Sequence, residues 1–336
     1  MMNKLSLAFP ADAQQNTYVS VQTENDFEFQ SVAISMLREM VANGGPGEHD
    51  YPAIDEMMQH LYRLRQNGQI SQEDIALLQG IFNDEFLRNT IHGYVYRKPL
   101  GYAGDYALID MIYTYDSFEH PAYKNWDRYF HYHAATQAVR NRKAFFKSKL
   151  LEKLKGRNSP LNLLNVASGP ARDLFELYQI IDPVMLTSTC VDIDSNAVAF
   201  ASELCRPFAN QIHFHRQNVL RFSGAEKYDV IWSAGLFDYF EDRIFILALK
   251  RLLTFLKPGG EILIGNFSEN NPTRGYMEIF GEWVLIHRSA GELTRLSIAA
   301  GVRPENILVE QEPLGINLFL RIRSAIPAQQ STLCMN

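Results

Sequence analysis

The chain has 336 residues, of which 46% are hydrophobic and 21% are charged, a composition that is ordinary for a globular protein with a sizeable core. Its formal net charge of −6 argues against a general nucleic-acid-binding surface, which needs clustered positive charge. No uninterrupted apolar run approaches the roughly 18 residues of a membrane span, and Met1–Pro10 lacks the apolar core of a secretory signal. We therefore expect a cytoplasmic protein without a membrane span.

The amino-terminal part of the chain is predicted to be helical after a short polar arm. Residues 1–25 are polar and mixed, which predicts a flexible arm, and the pattern from 26 to 155 is helical. Within it, Ser71 stands before two acids and an apolar run, the signature of a helix start, and Gly68 suits the end of the preceding helix. The polar, turn-rich segment 155–160 predicts a linker to the next domain.

A nucleotide-binding β-α-β unit is predicted from residues 161 to 194. A strand at Leu161–Val166 leads into a loop of small side chains, which let the backbone approach a ligand at a helix N-terminus. The loop residues that we expect to contact a cofactor are Ala167, Ser168 and Gly169. A second strand, Thr187–Val191, delivers Asp192, which lies 23 residues after Gly169. This is close to the roughly 20 expected for a carboxylate that binds ribose hydroxyls.

The same region favours S-adenosylmethionine over a nicotinamide as the ligand. A pyrophosphate-binding loop needs three glycines, and Gly169 is the only glycine here. A Lys-Pro-Gly-Gly turn precedes a strand at Glu261–Phe267, as commonly happens before the fifth strand of class I methyltransferases. Two further strands, Asn306–Gln311 and Ile316–Ile322, predict a closing hairpin that places one antiparallel strand in a parallel sheet.

Four segments in order carry a family resemblance: Val166–Ala171, Val191–Asp194, Arg216–Val219 and Lys227–Ile231. Through them, residues 161–323 resemble a class I S-adenosylmethionine-dependent methyltransferase domain. The resemblance implies an α/β, Rossmann-like, doubly wound mixed sheet of seven strands, preceded here by a helical lid region. It implies S-adenosylmethionine as cofactor. The cofactor-binding residues that the residue patterns and the resemblance together indicate are Ala167, Ser168, Gly169, Asp192, Ile193, Asn218, Val219, Ser233 and Gly235.

A narrower resemblance comes from five short segments: Gly101–Asp105, Gln137–Arg142, Gly235–Tyr239, Asn271–Arg274 and Leu285–Arg288. They are similar to bacterial enzymes that methylate long-chain 3-hydroxy fatty acids to make ester signals. The domains we predict are the arm at 1–25, the helical region at 26–155, the methyltransferase domain at 156–323 and a tail at 324–336.

Candidate acceptor-binding residues come from both predicted regions. We expect a helix at Tyr276–Ile286 and another that begins at Leu236, each close to the carboxyl edge of the sheet where ligands bind. The candidate catalytic residues are Tyr239, His287 and Arg288. The candidate substrate-binding residues are Tyr102, Asp105, Arg140 and Arg274. The added helices predict a lid that excludes water from the methyl donor, and an oligomerisation or stability module is the alternative.

The function we predict is methyl transfer to a small hydrophobic acceptor, with the carboxylate of a long-chain hydroxy fatty acid as the first candidate. A carboxylate is already ionised near neutral pH, so alignment matters more than base catalysis. Carbon methylation of a prenyl diphosphate, an isoprenoid, stays open as an alternative, and a non-catalytic cofactor-binding protein is a remote one. The cysteines, Cys190, Cys205 and Cys334, predict neither a disulfide nor a metal site. Whether the chain forms a homodimer is left open.

Overall fold

The computed structural model describes the backbone of residues 26–324 and the side chains of residues 31–324. The predicted arm at 1–25, and the predicted tail apart from residue 324, lie outside the described residues. No helix in the described range is long and apolar enough to cross a membrane.

Eight helices make up the helical region. Their bounds are α1 Asp26–Ala42, α2 Tyr51–Gln66, α3 Gln72–Gln79, α4 Asp84–Arg88, α5 Ile91–Arg97, α6 Tyr106–Thr114, α7 Lys124–Tyr132 and α8 Ala134–Leu154. The predicted helix start at Ser71 is confirmed, because Ser71 Oγ accepts a hydrogen bond from Asp74 N at 3.1 Å and Ser71 N donates to Asp74 Oδ2 at 2.8 Å. These reciprocal bonds satisfy amides that the first turn of α3 leaves free.

A seven-stranded sheet with helices on both faces forms the rest of the described chain. In chain order the elements are β1 Leu161–Val166, α9 Arg172–Tyr178, β2 Leu186–Asp192, α10 Ser195–Leu204, β3 Ile212–Arg216, β4 Tyr228–Ser233, α11 Asp242–Leu253, β5 Leu256–Phe267, α12 Arg274–Ile279, α13 Ala290–Ala299, β6 Ile307–Gln311 and β7 Asn317–Arg323. The strand order is β3-β2-β1-β4-β5-β7-β6, and β7 runs antiparallel to both of its neighbours. The predicted doubly wound mixed sheet is thereby confirmed.

Side chains of the central strands alternate between the two faces of the sheet. Leu163 and Trp232 pack in one core with α8, α9 and α10, whereas Leu164 and Ile231 pack in another core with α11 and α13. Because both faces are covered, these apolar side chains of the central strands are buried on either side of the sheet. Polar residues stand at the carboxyl edge of the parallel strands, where β2 ends in Asp192 and β4 in Ser233.

Helix α8 belongs to both regions. Near its amino end, Ala135 and Val139 pack in the core of the helical region. Near its carboxyl end, Phe146 and Leu150 pack against the sheet, and the Phe145 ring stacks on Phe319 with 3.7 Å between ring centroids. The helix therefore fixes the helical region against the sheet.

The structure corrects the predicted helix at Tyr276–Ile286, because α12 ends at Ile279. Gly281 packs so closely that a β-carbon there would lie 2.8 Å from the carbonyl oxygen of Met277, and the next residue, Glu282, adopts a φ of 45°. Ile286 N then donates to the carbonyl oxygen of Asp238, so the chain is bonded to another element and cannot close helical turns.

Two smaller predictions also need correction. The segment that was expected to begin a helix at Leu236 forms one 3₁₀ turn, Phe237–Tyr239, and α11 begins at Asp242. The predicted turn at 257–260 lies within β5, where the pairing with β4 shifts register. Proline and glycine here mark an irregular stretch of strand, as they do at bulges.

Candidate active site

The loop after β1 and the end of β2 form one hydrogen-bonded corner. The carbonyl oxygen of Val191 accepts from Ala167 N at 2.8 Å and from Ser168 N at 3.3 Å. Gly169 N donates to Asp192 Oδ2 at 2.8 Å. Gly169 adopts a φ of +53°, and a β-carbon placed on it would find no other heavy atom within 4 Å. The backbone at this corner is therefore open to a ligand, with a carboxylate beside it.

A cavity of about 500 Å³ lies at this carboxyl edge of the sheet, closed on its other side by the helical region. We call it the main cavity. The predicted site residues that line it are Ala167, Ser168, Gly169, Asp192, Ile193, Gly235, Tyr102 and Tyr239. The helical region adds Tyr106, Tyr113 and Arg142 to the wall. The structure thus brings six of the nine candidate cofactor residues and two of the candidate acceptor or catalytic residues to one space.

Several predicted residues do not line the main cavity. Asn218 Oδ1 accepts from Leu220 N at 2.9 Å and so starts the short turn that contains Val219. Ser233 is buried at the end of β4, and its Oγ has no hydrogen-bond partner among the described residues. Asp105 caps α6 by accepting from the amides of residues 107 and 108, and it also accepts from the Tyr94 hydroxyl at 3.1 Å.

Two of the predicted arginines are held by partners away from the main cavity. Arg140 Nη2 donates to the carbonyl oxygen of His131 at 2.7 Å, and its guanidinium lies 4.9 Å from the centroid of the Tyr115 ring. Arg274 Nε pairs with Glu278 Oε1 at 2.7 Å. The structure does not bring either guanidinium to the cavity wall.

Arg288 and His287 support the segment that follows α12. Arg288 is 1% exposed, and its Nη1 donates to the carbonyl oxygen of Phe237 at 3.1 Å and to Asn266 Oδ1 at 3.0 Å. His287 Nε2 accepts from Asn271 Nδ2 at 3.2 Å, and burial lowers the pKa of His287 to about 4. Neither residue lines the main cavity, because each is committed to holding neighbouring backbone in place.

Arg142, which the sequence analysis did not select, is the cation that the main cavity contains. It is 4% exposed; its Nη1 donates to the carbonyl oxygen of Ala234 at 3.2 Å and its Nε to the Tyr113 hydroxyl at 3.3 Å. Within the described chain, no carboxylate oxygen lies within the 4.0 Å of an ion pair with it. Burial alone lowers its pKa, but Tyr113 and two more distant aspartates, Asp238 and Asp173, raise it overall, so the guanidinium stays charged.

The two aspartates near Arg142 are buried carboxyl groups of the cavity wall. Burial raises the pKa of Asp238 to about 6, although Asp238 Oδ1 accepts from Phe267 N at 2.6 Å. Burial also raises the pKa of Asp173, whose Oδ2 accepts from Trp232 Nε1 at 3.3 Å. The wall therefore presents one guanidinium flanked at a distance by carboxyl groups, a pattern that suits a ligand with both cationic and anionic parts.

Three aromatic side chains close the main cavity on its helical side. The Tyr102 hydroxyl donates to Asp194 Oδ2 at 2.8 Å, and the Tyr239 hydroxyl donates to the carbonyl oxygen of Ala103 at 3.0 Å. Trp283 Nε1 donates to the Tyr239 hydroxyl at 2.9 Å. Burial raises the pKa of both tyrosines, so each stays protonated and acts as a donor near neutral pH.

The cavity wall fits S-adenosylmethionine. Asp192 lies at the end of β2 beside the open face of Gly169, where its carboxylate would accept hydrogen bonds from a ribose diol. Asn165 Nδ2 and Ser168 Oγ are buried in the same wall without a hydrogen-bond partner among the described residues. Buried polar atoms usually have partners, so these atoms indicate a polar ligand. Within residues 31–324 no cluster of His, Cys, Asp and Glu side chains is arranged to hold a metal ion.

Comparison with known proteins agrees with this geometry. Residues 163–260 match the family model described as a methyltransferase domain. The match begins in β1 and ends within β5, so it contains the loop, the acid and the fourth strand of the candidate site. No curated protein sequence matches the chain.

Two solved structures are similar over most of the chain. A possible exported protein from Bordetella parapertussis has a TM-score of 0.57 at 16% identity, over 90% of this chain and 97% of that one. The CurJ carbon methyltransferase has a TM-score of 0.53 at 12% identity, over 89% of this chain and 92% of that one. At these identities the likeness is one of fold, and it extends over helices as well as sheet. The family match, the sheet order and the cavity wall support a class I methyltransferase with S-adenosylmethionine as cofactor.

Proposed function

We propose that the protein transfers the methyl group of S-adenosylmethionine to the carboxylate of a long-chain hydroxy fatty acid bound in the main cavity. Arg142 carries this proposal. It is a buried guanidinium without an ion-pair partner among the described residues, next to Gly235 at the end of β4. A buried charge is unfavourable unless it is paired, and a substrate carboxylate would pair it.

The chemistry asked of the protein is mainly alignment and exclusion of water. When bound, S-adenosylmethionine supplies an electrophilic methyl group. Arg142 would hold the acceptor carboxylate, and the Tyr239 hydroxyl would donate to it only in exchange for its bond to the carbonyl oxygen of Ala103. Since the carboxylate is already ionised, no proton has to be removed before the oxygen attacks. The aromatic wall keeps the space dry and supplies negative ring faces for a cationic methyl donor.

The charge of the cavity favours a single carboxylate over a diphosphate. Among the described residues that line the main cavity, Arg142 is the only lysine or arginine. The other basic residues considered for a phosphate clamp have partners of their own: Lys143 Nζ pairs with Glu176 Oε1 at 2.6 Å, and Arg274 pairs with Glu278. A diphosphate would need more positive charge than one guanidinium supplies.

The helical region acts as a lid in this proposal. Tyr102, Ala103 and Gly104 lie over the cavity and are bonded to the sheet domain through Asp194 and Tyr239. Gly104 has a φ of +70° and lies against Tyr239 and Trp283, where a β-carbon would come within 2.8 Å of both side chains. This contact needs glycine, and it lets the segment close tightly on the wall.

Carbon methylation of a prenyl diphosphate is the second candidate. The aromatic lining, which includes Tyr106, Tyr113, Phe267 and Trp283, is the observation that favours it. Such rings would stabilise a carbocation formed when an alkene takes up the methyl group.

The two candidate reactions place a methyl label on different atoms of the acceptor, a carboxylate oxygen or a carbon. We would incubate the pure protein with methyl-labelled S-adenosylmethionine and either hydroxy fatty acids or prenyl diphosphates. We expect an alkali-labile methyl ester from the acids and no inhibition by inorganic diphosphate. Label fixed on carbon, together with strong inhibition by diphosphate, would reverse the assignment. No transfer to either class would refute both.

A further inference from the structure

A second, smaller cavity lies next to the main cavity, between the helical region and the segment at the end of β5 and after it. It has a volume of about 20 Å³, and we call it the inner cavity. Val139, Phe267 and Trp283 line both cavities and form the wall between them. A space of this size holds about one group as large as a hydroxyl or a water molecule.

The inner cavity is apolar apart from a few polar side chains, and one of these lacks a partner. His133 is 3% exposed, and its Nε2 has no hydrogen-bond partner among the described residues. Thr136, which is 5% exposed, adds a hydroxyl group to the same lining. Burial lowers the pKa of His133 to about 3, so the ring is neutral near pH 7 and offers one donor and one acceptor nitrogen. Both side chains suit a neutral hydrogen-bonding group better than an ion.

The two cavities are linked by residues spaced three apart on one helix. His133 immediately precedes α8, and Thr136, Val139 and Arg142 follow at equal steps along it. We call these four residues the α8 row. His133 and Thr136 line the inner cavity, Val139 lines both cavities, and Arg142 lines the main cavity. Since an α-helix rises 1.5 Å per residue, Thr136 and Arg142 start about 9 Å apart along the helix axis.

We propose that the inner cavity is a second compartment of the acceptor site and binds a hydroxyl group that the acceptor carries several carbon atoms away from its reacting carboxylate. The inference rests on the proposed function, because the spacing applies when Arg142 holds the carboxylate. The chain between the two polar groups would pass the wall formed by Val139, Phe267 and Trp283. His133 and Thr136 would then bond the hydroxyl, and an acid without it would leave them unpaired, which disfavours its binding.

Binding of three acids with ten carbon atoms tests this inference. Decanoic acid, 3-hydroxydecanoic acid and 10-hydroxydecanoic acid would be titrated calorimetrically into the full chain in the presence of S-adenosylhomocysteine. We expect 10-hydroxydecanoic acid to bind at least about tenfold more tightly than decanoic acid. We expect 3-hydroxydecanoic acid to bind like decanoic acid, because its two polar groups are too close together to reach both compartments.

Two substitutions show whether the preference arises in the inner cavity. Thr136→Val and His133→Phe should each bring the ratio of the two affinities close to one, because neither variant leaves its substituted side chain unpaired when decanoic acid binds. Thr136→Ser keeps the hydroxyl and should keep the preference. If the melting curve shows that His133→Phe fails to fold, the two Thr136 variants still show whether the preference arises in the inner cavity.

Two results would overturn the inference. One is equal binding of decanoic and 10-hydroxydecanoic acid by the unaltered protein, as expected if the inner cavity holds a buried water only. The other is a preference that survives both Thr136→Val and His133→Phe. Ester formation, measured in parallel, separates this inference from the proposed function. A hydroxyl-dependent affinity without any ester would refute the methyl transfer and leave the compartment standing.

Discussion

The sheet domain and the helical region meet at one cavity but contribute to it in different ways. The sheet domain contributes backbone amides and the short side chain of Asp192 at the end of β2. One of these amides, Gly169 N, donates a hydrogen bond to Asp192. The helical region offers long side chains, such as Arg142 and Tyr102, whose positions depend on how separate helices pack. A cofactor site can thus be encoded in a contiguous stretch of sequence, while an acceptor site is assembled from distant ones.

Both regions also contain buried groups that respond to acid, and in the sheet domain one of them is His287, whose pKa burial lowers to about 4. The helical region buries His92 and His133, and burial lowers the pKa of each from 6.5 to about 3. In the sheet domain, burial raises the pKa of Asp238 to about 6. The two kinds of group respond to unfolding in opposite ways: below pH 6.5 the histidines take up protons on unfolding, whereas Asp238 gives one up.

The largest effect that we expect is a loss of stability in acid that depends on these histidines. Their contribution is fully present above pH 6.5 and is lost as the pH falls towards 3, by up to about 1.4 kcal/mol per pH unit for each ring. His133→Phe should remove one such contribution from the slope between pH 6.5 and 4.5, and His213→Gln, at an exposed position on β3, should not. Denaturant melts at a series of pH values measure this slope. An unchanged slope in His133→Phe would show that the ring is not neutral in the folded protein.

The next largest effect concerns Arg142, on the helical side of the comparison. Arg142→Gln should lower kcat/KM for the acid acceptor at least about 100-fold, because two charged hydrogen bonds are together worth about 3 to 6 kcal/mol. Arg140→Gln is the matched control on the same helix, since Arg140 bonds to His131 and does not line the cavity. Steady-state kinetics with both variants decide the matter. Equal losses in the two variants would mean that Arg142 acts through helix packing.

The contrast between the regions explains which parts could be predicted from the sequence. The first strand was predicted at its observed bounds, Leu161–Val166, because a local apolar run and a loop of small residues define it. Asp192 was placed directly after the predicted strand Thr187–Val191, and it is the last residue of β2. These features depend on residues that are close together in the sequence. The short segments that carry the family resemblance contain the same residues.

The acceptor side could not be predicted in the same way. On α8 the sequence analysis selected Arg140, but the residue that reaches the cavity is Arg142, because packing against Tyr113 and the end of β4 decides which face of the helix turns inward. The helix expected at Tyr276–Ile286 stops at Ile279, and just beyond it Gly281 packs so closely that a β-carbon there would lie 2.8 Å from Val95 of the helical region. Both outcomes depend on contacts between segments that are far apart in the chain.

A smaller effect should come from the sheet side. Asp192→Ala should raise the Kd for S-adenosylmethionine at least about tenfold, since a charged acceptor contributes about 1.5 to 3 kcal/mol per hydrogen bond. Glu203→Ala, on the exposed side of α10, is the control. Calorimetry on the folded variants measures both. An unchanged affinity in Asp192→Ala would remove this residue from the cofactor site.

The smallest effect concerns the bond that joins the two regions directly. Tyr102→Phe removes the hydrogen bond to Asp194 but keeps the ring over the cavity. Because the bond is exposed, we expect KM for the acceptor to rise about two- to fivefold with little change in the affinity for the cofactor. Kinetics at saturating cofactor test this. A change in cofactor affinity as large as that of Asp192→Ala would mean that Tyr102 belongs to the cofactor site.

The α8 row has a consequence for how the acceptor range of this scaffold can change. Inserting or deleting one residue in α8 would rotate the part of the helix beyond that point by about 100°. The side chains that line one of the two cavities would then no longer face it. Point substitutions at positions 133, 136 and 139 leave the register of the helix intact. Acceptor length and polarity should therefore be retuned by exchanging side chains along α8, whereas changes in helix length should uncouple the acceptor from the methyl donor.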